Sequence, residues 1–188
     1  MARALVLLAE GFEEIEGITV VDVLRRGGVE VTTAALGPGP VRGAHGIEVT
    51  PDSTLDHAVA AAGAYDAVVL PGGNPGCTNL AKDPRVLGLL QTFQKERKTV
   101  AAVCAAPWVL QKAGLLDGKR ATIHPSLRAE LTAATHVESP VVEDGTVVTS
   151  QGAGTTMAFA LKLVERLVGR EKAREVAERL VFRGPGAA

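Results

Sequence analysis

At 188 residues the chain can bury about 70% of its unfolded surface as one domain, which we place at 1–182 with 183–188 as a flexible tail. Aromatic residues make up only 3%, so the core is built from Val, Leu and Ala, and aromatic stacking platforms for single-stranded nucleic acid are excluded. With 20 Lys and Arg against 21 Asp and Glu and no basic block, nothing points to a polyanion partner.

The apolar run at 4–9 reads as a first strand. It is too short, and too soon followed by Glu10, Glu13 and Glu14, for a signal peptide or a membrane span, so a cytoplasmic protein is expected. Over 13–26, Ile15, Ile18, Val21 and Leu24 fall mostly at helical spacing behind an acidic first turn, and Gly27-Gly28 stops the helix. Residues 29–36 alternate as a second strand. After a Gly/Pro-rich excursion, 47–49 reads as part of a short hairpin at a sheet edge, and Asp52 or Ser53 as the cap of a helix over 55–62. The strand at 65–70 ends in the loop Pro71-Gly72-Gly73-Asn74-Pro75-Gly76, and Asp83 caps a helix with Pro84 in its first position.

Residues 99–103 are small or β-branched throughout, the pattern of a strand covered on both faces. A helix with Pro107 in its first turn follows Cys104 and stops at Gly114. A short strand at 119–123, a helical stretch at 126–133, a hairpin turning at Asp144-Gly145 and helices over 155–168 and 170–180 complete the chain. Strands alternating with helices imply an α/β fold with a mostly parallel sheet and helices on both faces.

Four strand-end features converge. Cys104 lies between a parallel strand and a helix, where open α/β sheets bind ligands and where helix amides favour a thiolate. The competing reading is a buried cysteine acting as a small hydrophobe. Gly72 and Gly73, with Asn74 beside them, offer backbone amides that together with that of Ala105 suit an oxyanion. Glu13 or Glu14 complements the helix dipole, whereas Glu16, one turn further in, is placed to enter the sheet's crevice with a raised pKa. His124 ends another strand, where it is either part of the site or a structural histidine before Pro125. Cys77 reads as an incidental residue of a polar loop, and two cysteines in such different contexts give no disulfide framework. The glycine loops lack dinucleotide and phosphate-loop spacing, and the four histidines are too far apart in sequence for a zinc motif. No cofactor and no metal are therefore expected.

Gly11-x-Glu-Glu-x-Glu16, Leu70-Pro-Gly-Gly-Asn74, Ala101-Ala-Val-Cys-Ala-Ala-Pro107, Thr122-Ile-His-Pro125 and Thr149-Ser-x-Gly-x-Gly-Thr155 occur in this order. Together they resemble the ThiJ/PfpI superfamily, in its parkinsonism-associated deglycase (DJ-one) branch, over nearly the whole chain. The resemblance implies a flavodoxin-like, class I glutamine-amidotransferase-like three-layer sandwich, and a homodimer. It further implies Cys104 on a strained nucleophile elbow, Glu16 bonded to its sulfur, Gly73 and Ala105 as amide donors, and His124 nearby. Two departures matter. The protease branch has histidine directly after the nucleophile, where this chain has Ala105, and Thr50 stands before Pro51-Asp52 where some relatives carry an oxidisable cysteine.

The implied activity is a cofactor-independent glyoxalase or protein deglycase, with methylglyoxal, glyoxal or glycated protein side chains as its partners. Cys104 would form a hemithioacetal and Glu16 would shuttle a proton. The alternatives are a redox-sensing or chaperone-like stress protein oxidised at Cys104 to sulfinic acid, and an intracellular cysteine protease.

Overall fold

The computed structural model describes residues 1–184; the last four residues of the expected tail lie outside the described residues. The first strand, β1 (Arg3–Leu8), leads into helix α1 (Glu14–Arg26) and returns as β2 (Glu30–Ala35), parallel to β1 in a register pairing Arg3 with Glu30 and Leu8 with Ala35. Ala4 to Leu8 are at most 1% exposed. Leu5 and Leu7 face one core, while Ala4, Val6 and Leu8 face the other, which is why the run shows no polar alternation.

The excursion at 37–52 contains β3 (Val41–Arg42) and β4 (Glu48–Val49), an antiparallel pair that forms its own small sheet instead of extending the edge of the main one. The edge belongs to β5 (Ser53–Thr54), parallel to β2, followed by α2 (Leu55–Ala60). Neither expected cap acts as one. Thr54 occupies the cap position, and Asp52 instead accepts from the Thr33 backbone N–H, the Thr33 hydroxyl and Arg25.

Strand β6 (Ala67–Leu70) and its glycine loop run into α3 (Gly76–Lys82), a helix not expected from the sequence. Next come α4 (Pro84–Lys95), capped by Asp83 as expected, β7 (Thr99–Val103) and α5 (Pro107–Lys112). The strand expected at 119–123 shrinks to β8 (Arg120–Ala121), paired outside the main sheet with β9 (Thr135–His136). The helix expected at 126–133 is a 3₁₀ turn at Pro125–Glu130. The hairpin of β10 (Val141–Asp144) and β11 (Val147–Ser150), then α6 (Thr156–Val168) and α7 (Arg170–Arg179), complete the chain.

The main sheet has the order β10-β11-β7-β6-β1-β2-β5, and every pairing except β10 with β11 is parallel. Helices α1, α6 and α7 cover one face, and α2 to α5 cover the other. This is the expected three-layer α/β sandwich. The order reverses at β1, whose neighbours are β2 and β6, so the loops leaving β1 and β6 open a crevice at the carboxyl end of the sheet. Among the described residues no helix is long and apolar enough to cross a membrane.

Candidate active site

Three loops at that crevice meet on Cys104. The residue leaves β7 with φ of +62°, a left-handed conformation that is unusual for a side chain with a Cβ. Its backbone is held from two sides: its N–H donates to Ser150 O at 3.0 Å, and its carbonyl accepts from His124 N–H at 2.9 Å. The turn therefore leaves the sulfur partly exposed, aimed away from the strand direction.

Glu16 arrives from the β1 side. Glu13 caps α1 by accepting from Glu16 N–H at 2.7 Å, and the same turn buries the Glu16 side chain completely. One carboxyl oxygen, Oε2, accepts from Gly72 N–H at 2.7 Å, while Oε1 has no hydrogen-bond partner. Burial pushes the Glu16 carboxyl up to about 7, against the Gly72 bond and the neighbouring thiol, which favour ionisation, and with help from the Glu13 charge. The Cys104 thiol is pushed up to about 12 by burial and then by the Glu16 charge and hydrogen bond, with only the Ala105 N–H favouring the thiolate. Helix α5 begins three residues after Cys104 and is six residues long, so beyond burial the main influence on the sulfur is the Glu16 carboxyl group and not a helix dipole. A thiolate forms here when the proton resides on Glu16, because this removes the repelling charge and supplies a donor.

Gly72 lies between Cys104 and Glu16. Its amide is occupied by Glu16, so it holds the carboxyl and is not an oxyanion donor. A Cβ on Gly72 would lie 2.6 Å from both Cys104 Cβ and Glu16 Oε2. Gly73, with φ of +93°, and Ala105 keep amides that no protein oxygen engages. Asn74 is exposed at the rim, where its Oδ1 accepts from the Thr78 hydroxyl at 3.0 Å.

His124 joins the site from the segment after β8. Its Nδ1 faces Ser126 N–H at 3.3 Å and Ser126 Oγ at 2.8 Å; accepting from the amide fixes the ring proton on Nε2. The imidazole Cδ2 lies 3.4 Å, and Cys104 Sγ 4.0 Å, from the Cβ that Gly152 lacks, so this glycine keeps room between ring and sulfur.

Gly73, Asn74, Cys104, Ala105 and His124 line one cavity of about 420 Å³. The sequence reading missed its other walls, notably Trp108, Ser126, Glu130 and Cys77. Trp108 is the chain's sole tryptophan and stands four residues after Cys104, a signal that was available. Cys77 had none, because it depended on the missed helix: it is 3% exposed, in the first turn of α3, not in a polar loop. A larger depression of about 640 Å³, between Glu10, the 37–40 loop and Lys82, contains none of the four converging features.

Elsewhere Glu14, 5% exposed, binds the 43–47 loop through His45 N–H at 2.7 Å, Ile47 N–H at 3.3 Å and His45 Nδ1 at 2.9 Å. Glu13, Glu14 and His45 bring one ligand-type atom each within 4.8 Å of one another, but the carboxylates are already engaged by backbone amides and this imidazole.

The chain resembles known proteins over nearly its whole length. The zebrafish (Danio rerio) Parkinson disease protein 7 homolog is 41% identical over 185 residues, covering 96% of this chain and 97% of the relative. A Caenorhabditis elegans relative named glutathione-independent glyoxalase DJR-1.2 is 38% identical over 180 residues, covering 94% of this chain and 95% of its own. The crystal structure of Drosophila melanogaster DJ-1beta superposes with a TM-score of 0.94 at 40% identity, covering 97% of this chain and 99% of that one. The model of the DJ-1/PfpI family matches residues 2–166. With the sheet order, the ordered motifs and these end-to-end likenesses in agreement, the chain belongs to the DJ-1/PfpI family, in its DJ-1 branch.

Proposed function

We propose that the protein is a cofactor-independent glyoxalase acting on methylglyoxal and glyoxal, free or as adducts on protein side chains. The observation that carries this reading is the buried Glu16 carboxyl interacting with the Cys104 thiol, which itself lines an open cavity. The relative named as a glyoxalase adds weight.

Once the pair has lost its first proton near pH 7, Glu16 and Cys104 share the one that remains. With that proton on Glu16, the thiolate attacks the aldehyde carbon of methylglyoxal. A C–S bond forms, the carbonyl π pair moves to oxygen, and the amides of Gly73 and Ala105 hold that oxygen until it is protonated. The Glu16 carboxylate, having given its proton to that oxygen, takes the proton from the carbon bonded to sulfur and returns it to the neighbouring carbon, while the hydroxyl proton passes to the ketone oxygen, leaving a thioester of lactate. Water cleaves the thioester to lactate and the free thiol. The sum is methylglyoxal plus water giving lactate, with no external oxidant or reductant; glyoxal gives glycolate. In a side-chain adduct, water also releases the repaired amine or thiol. His124 Nε2–H serves as an added donor toward substrate oxygen.

The test is lactate formation by wild-type, Cys104→Ala and Glu16→Gln protein. Each variant should lose at least about 100-fold in rate, the usual scale for removing a nucleophile or acid–base group. An unchanged rate in either variant overturns the assignment.

A second reading, peroxide sensing at Cys104, is favoured by the partial exposure of that thiol beside the Gly73 and Ala105 amides, which are able to hold oxygens on an oxidised sulfur. We infer a homodimer as well: Ile15 and Ile18 on α1 and Ile47 on the neighbouring loop are 58%, 42% and 58% exposed, an apolar surface suited to a second copy.

A further inference from the structure

The chain has two cysteines, and both line the same cavity. They flank a single tripeptide, Pro71-Gly72-Gly73. On one side Cys77 donates its N–H to Gly73 O at 2.9 Å and rests its sulfur 3.8 Å from Pro71 O. On the other side Gly72 packs so closely on Cys104 that an added Cβ would lie 2.6 Å from Cys104 Cβ.

The two thiols divide their exposure. Cys104 is partly open to the cavity, whereas Cys77 is 3% exposed, so a small oxidant arriving from solvent meets Cys104 first. Burial, with smaller contributions from the Cys104 and Glu16 charges, also holds the Cys77 thiol far above the ordinary range, which adds to the protection its lack of exposure gives it. A second thiol that is screened from the oxidant but opens on the same cavity as the oxidised sulfur has the placement of a resolving cysteine.

We propose that Cys77 is the resolving thiol of Cys104, closing an intramolecular disulfide after peroxide has converted Cys104 to a sulfenic acid. The inference rests on the oxidation reading above and is independent of the glyoxalase reading. In the first step the Cys104 thiolate attacks hydrogen peroxide: an S–O bond forms, the O–O bond breaks, sulfur loses two electrons and hydroxide leaves. In the second, the Cys77 sulfur attacks the Cys104 sulfur, the S–S bond forms as the S–O bond breaks, and the departing hydroxyl takes the Cys77 proton and leaves as water. A low-molecular-weight thiol then reduces the disulfide and restores both cysteines.

Closure requires a specific bridge geometry, with Cα atoms within about 7 Å. Cys77 sits in the first turn of a seven-residue helix, directly after a loop containing Gly73 and Gly76. Turning its side chain toward Cys104 gives up the long sulfur contact to Pro71 O and part of its packing in the core.

The experiment treats the full chain with stoichiometric hydrogen peroxide, blocks free thiols, and maps peptides by mass spectrometry without reduction. Expected is a species about 2 Da lighter, linking the Cys77 and Cys104 peptides, unalkylated and fully reversed by dithiothreitol. At the same dose, Cys77→Ala and Cys77→Ser should each accumulate roughly tenfold more Cys104 sulfinic acid, about 32 Da heavier, because nothing intercepts the sulfenic acid. Sulfinic acid at Cys104 in the wild type at the level of the variants would overturn Cys77 as resolving thiol while leaving Cys104 oxidation standing. Wild-type Cys104 that stays unoxidised would overturn both.

Discussion

Replacing Glu16 by Gln should make the protein more stable at alkaline pH while abolishing its activity. The carboxyl is completely buried, and its rise from an ordinary 4.5 to about 7 means that the folded state resists its ionisation. At about 1.4 kcal/mol per pH unit, that rise corresponds to roughly 3 kcal/mol. Between pH 4.5 and about 7 the native protein holds a proton that the unfolded chain has released. Stability therefore falls as pH increases through this window: the contribution is fully present below 4.5 and lost above 7. Glutamine keeps the acceptor for Gly72 N–H but cannot ionise, so the variant lacks the decline. Any cost of its unneeded NH₂ donor is the same at every pH. Urea unfolding of both proteins from pH 4.5 to 8 isolates the effect, since the remaining titrations cancel. The stability of the variant relative to wild type should improve by about 3 kcal/mol across the window. Parallel stability curves would refute the reasoning, because they would mean that Glu16 ionises in the folded protein as it does in water.

Alkylation of Cys104 by iodoacetamide should accelerate with pH through an inflection near 7, where the Cys104–Glu16 pair loses its first proton, and Glu16→Gln should abolish that inflection. An unshifted profile of an isolated thiol in the wild type, with an inflection at about 8.5, would contradict the shared proton. Gly72→Ala should cost about 2–3 kcal/mol and sharply lower lactate formation, because the new methyl falls between Cys104 Cβ and Glu16 Oε2; thermal unfolding and rate assays with normal results would show that the two groups are not so closely held.

The buried strands and the larger helices were legible because their signals are local. Residues 4–8 and 99–103 form uninterrupted apolar runs, and Asp83-Pro84 marks a helix start chemically. Helix α3 escaped because only Cys77 and Leu80 are buried non-glycine residues in its seven, too few to define a period, and the preceding glycines and prolines read as loop. Segments 119–123 and 126–133 were misjudged for a related reason: short apolar stretches fix burial but not pairing, and here the partner was β9, two residues long. At the site, the residue types and their strand-end positions were visible, but the assignment of individual donors was not. Whether Gly72 or Gly73 keeps a free amide depends on which one Glu16, 56 residues earlier, reaches. Likewise, a helix following Cys104 suggested a dipole, whereas the ionisation is governed by a carboxyl from the opposite side of β6.

The reversal of strand order at β1 has a consequence for the nascent chain. Glu16 follows β1, its Gly72 partner follows β6, and Cys104 follows β7, so the three meet only after β6 has inserted between strands separated by some ninety residues of sequence. Such non-local pairing forms late in folding. Until then the cysteine lacks its carboxyl partner and is an ordinary thiol, so the coupling of the two groups is a property of the finished sheet and not of any one segment.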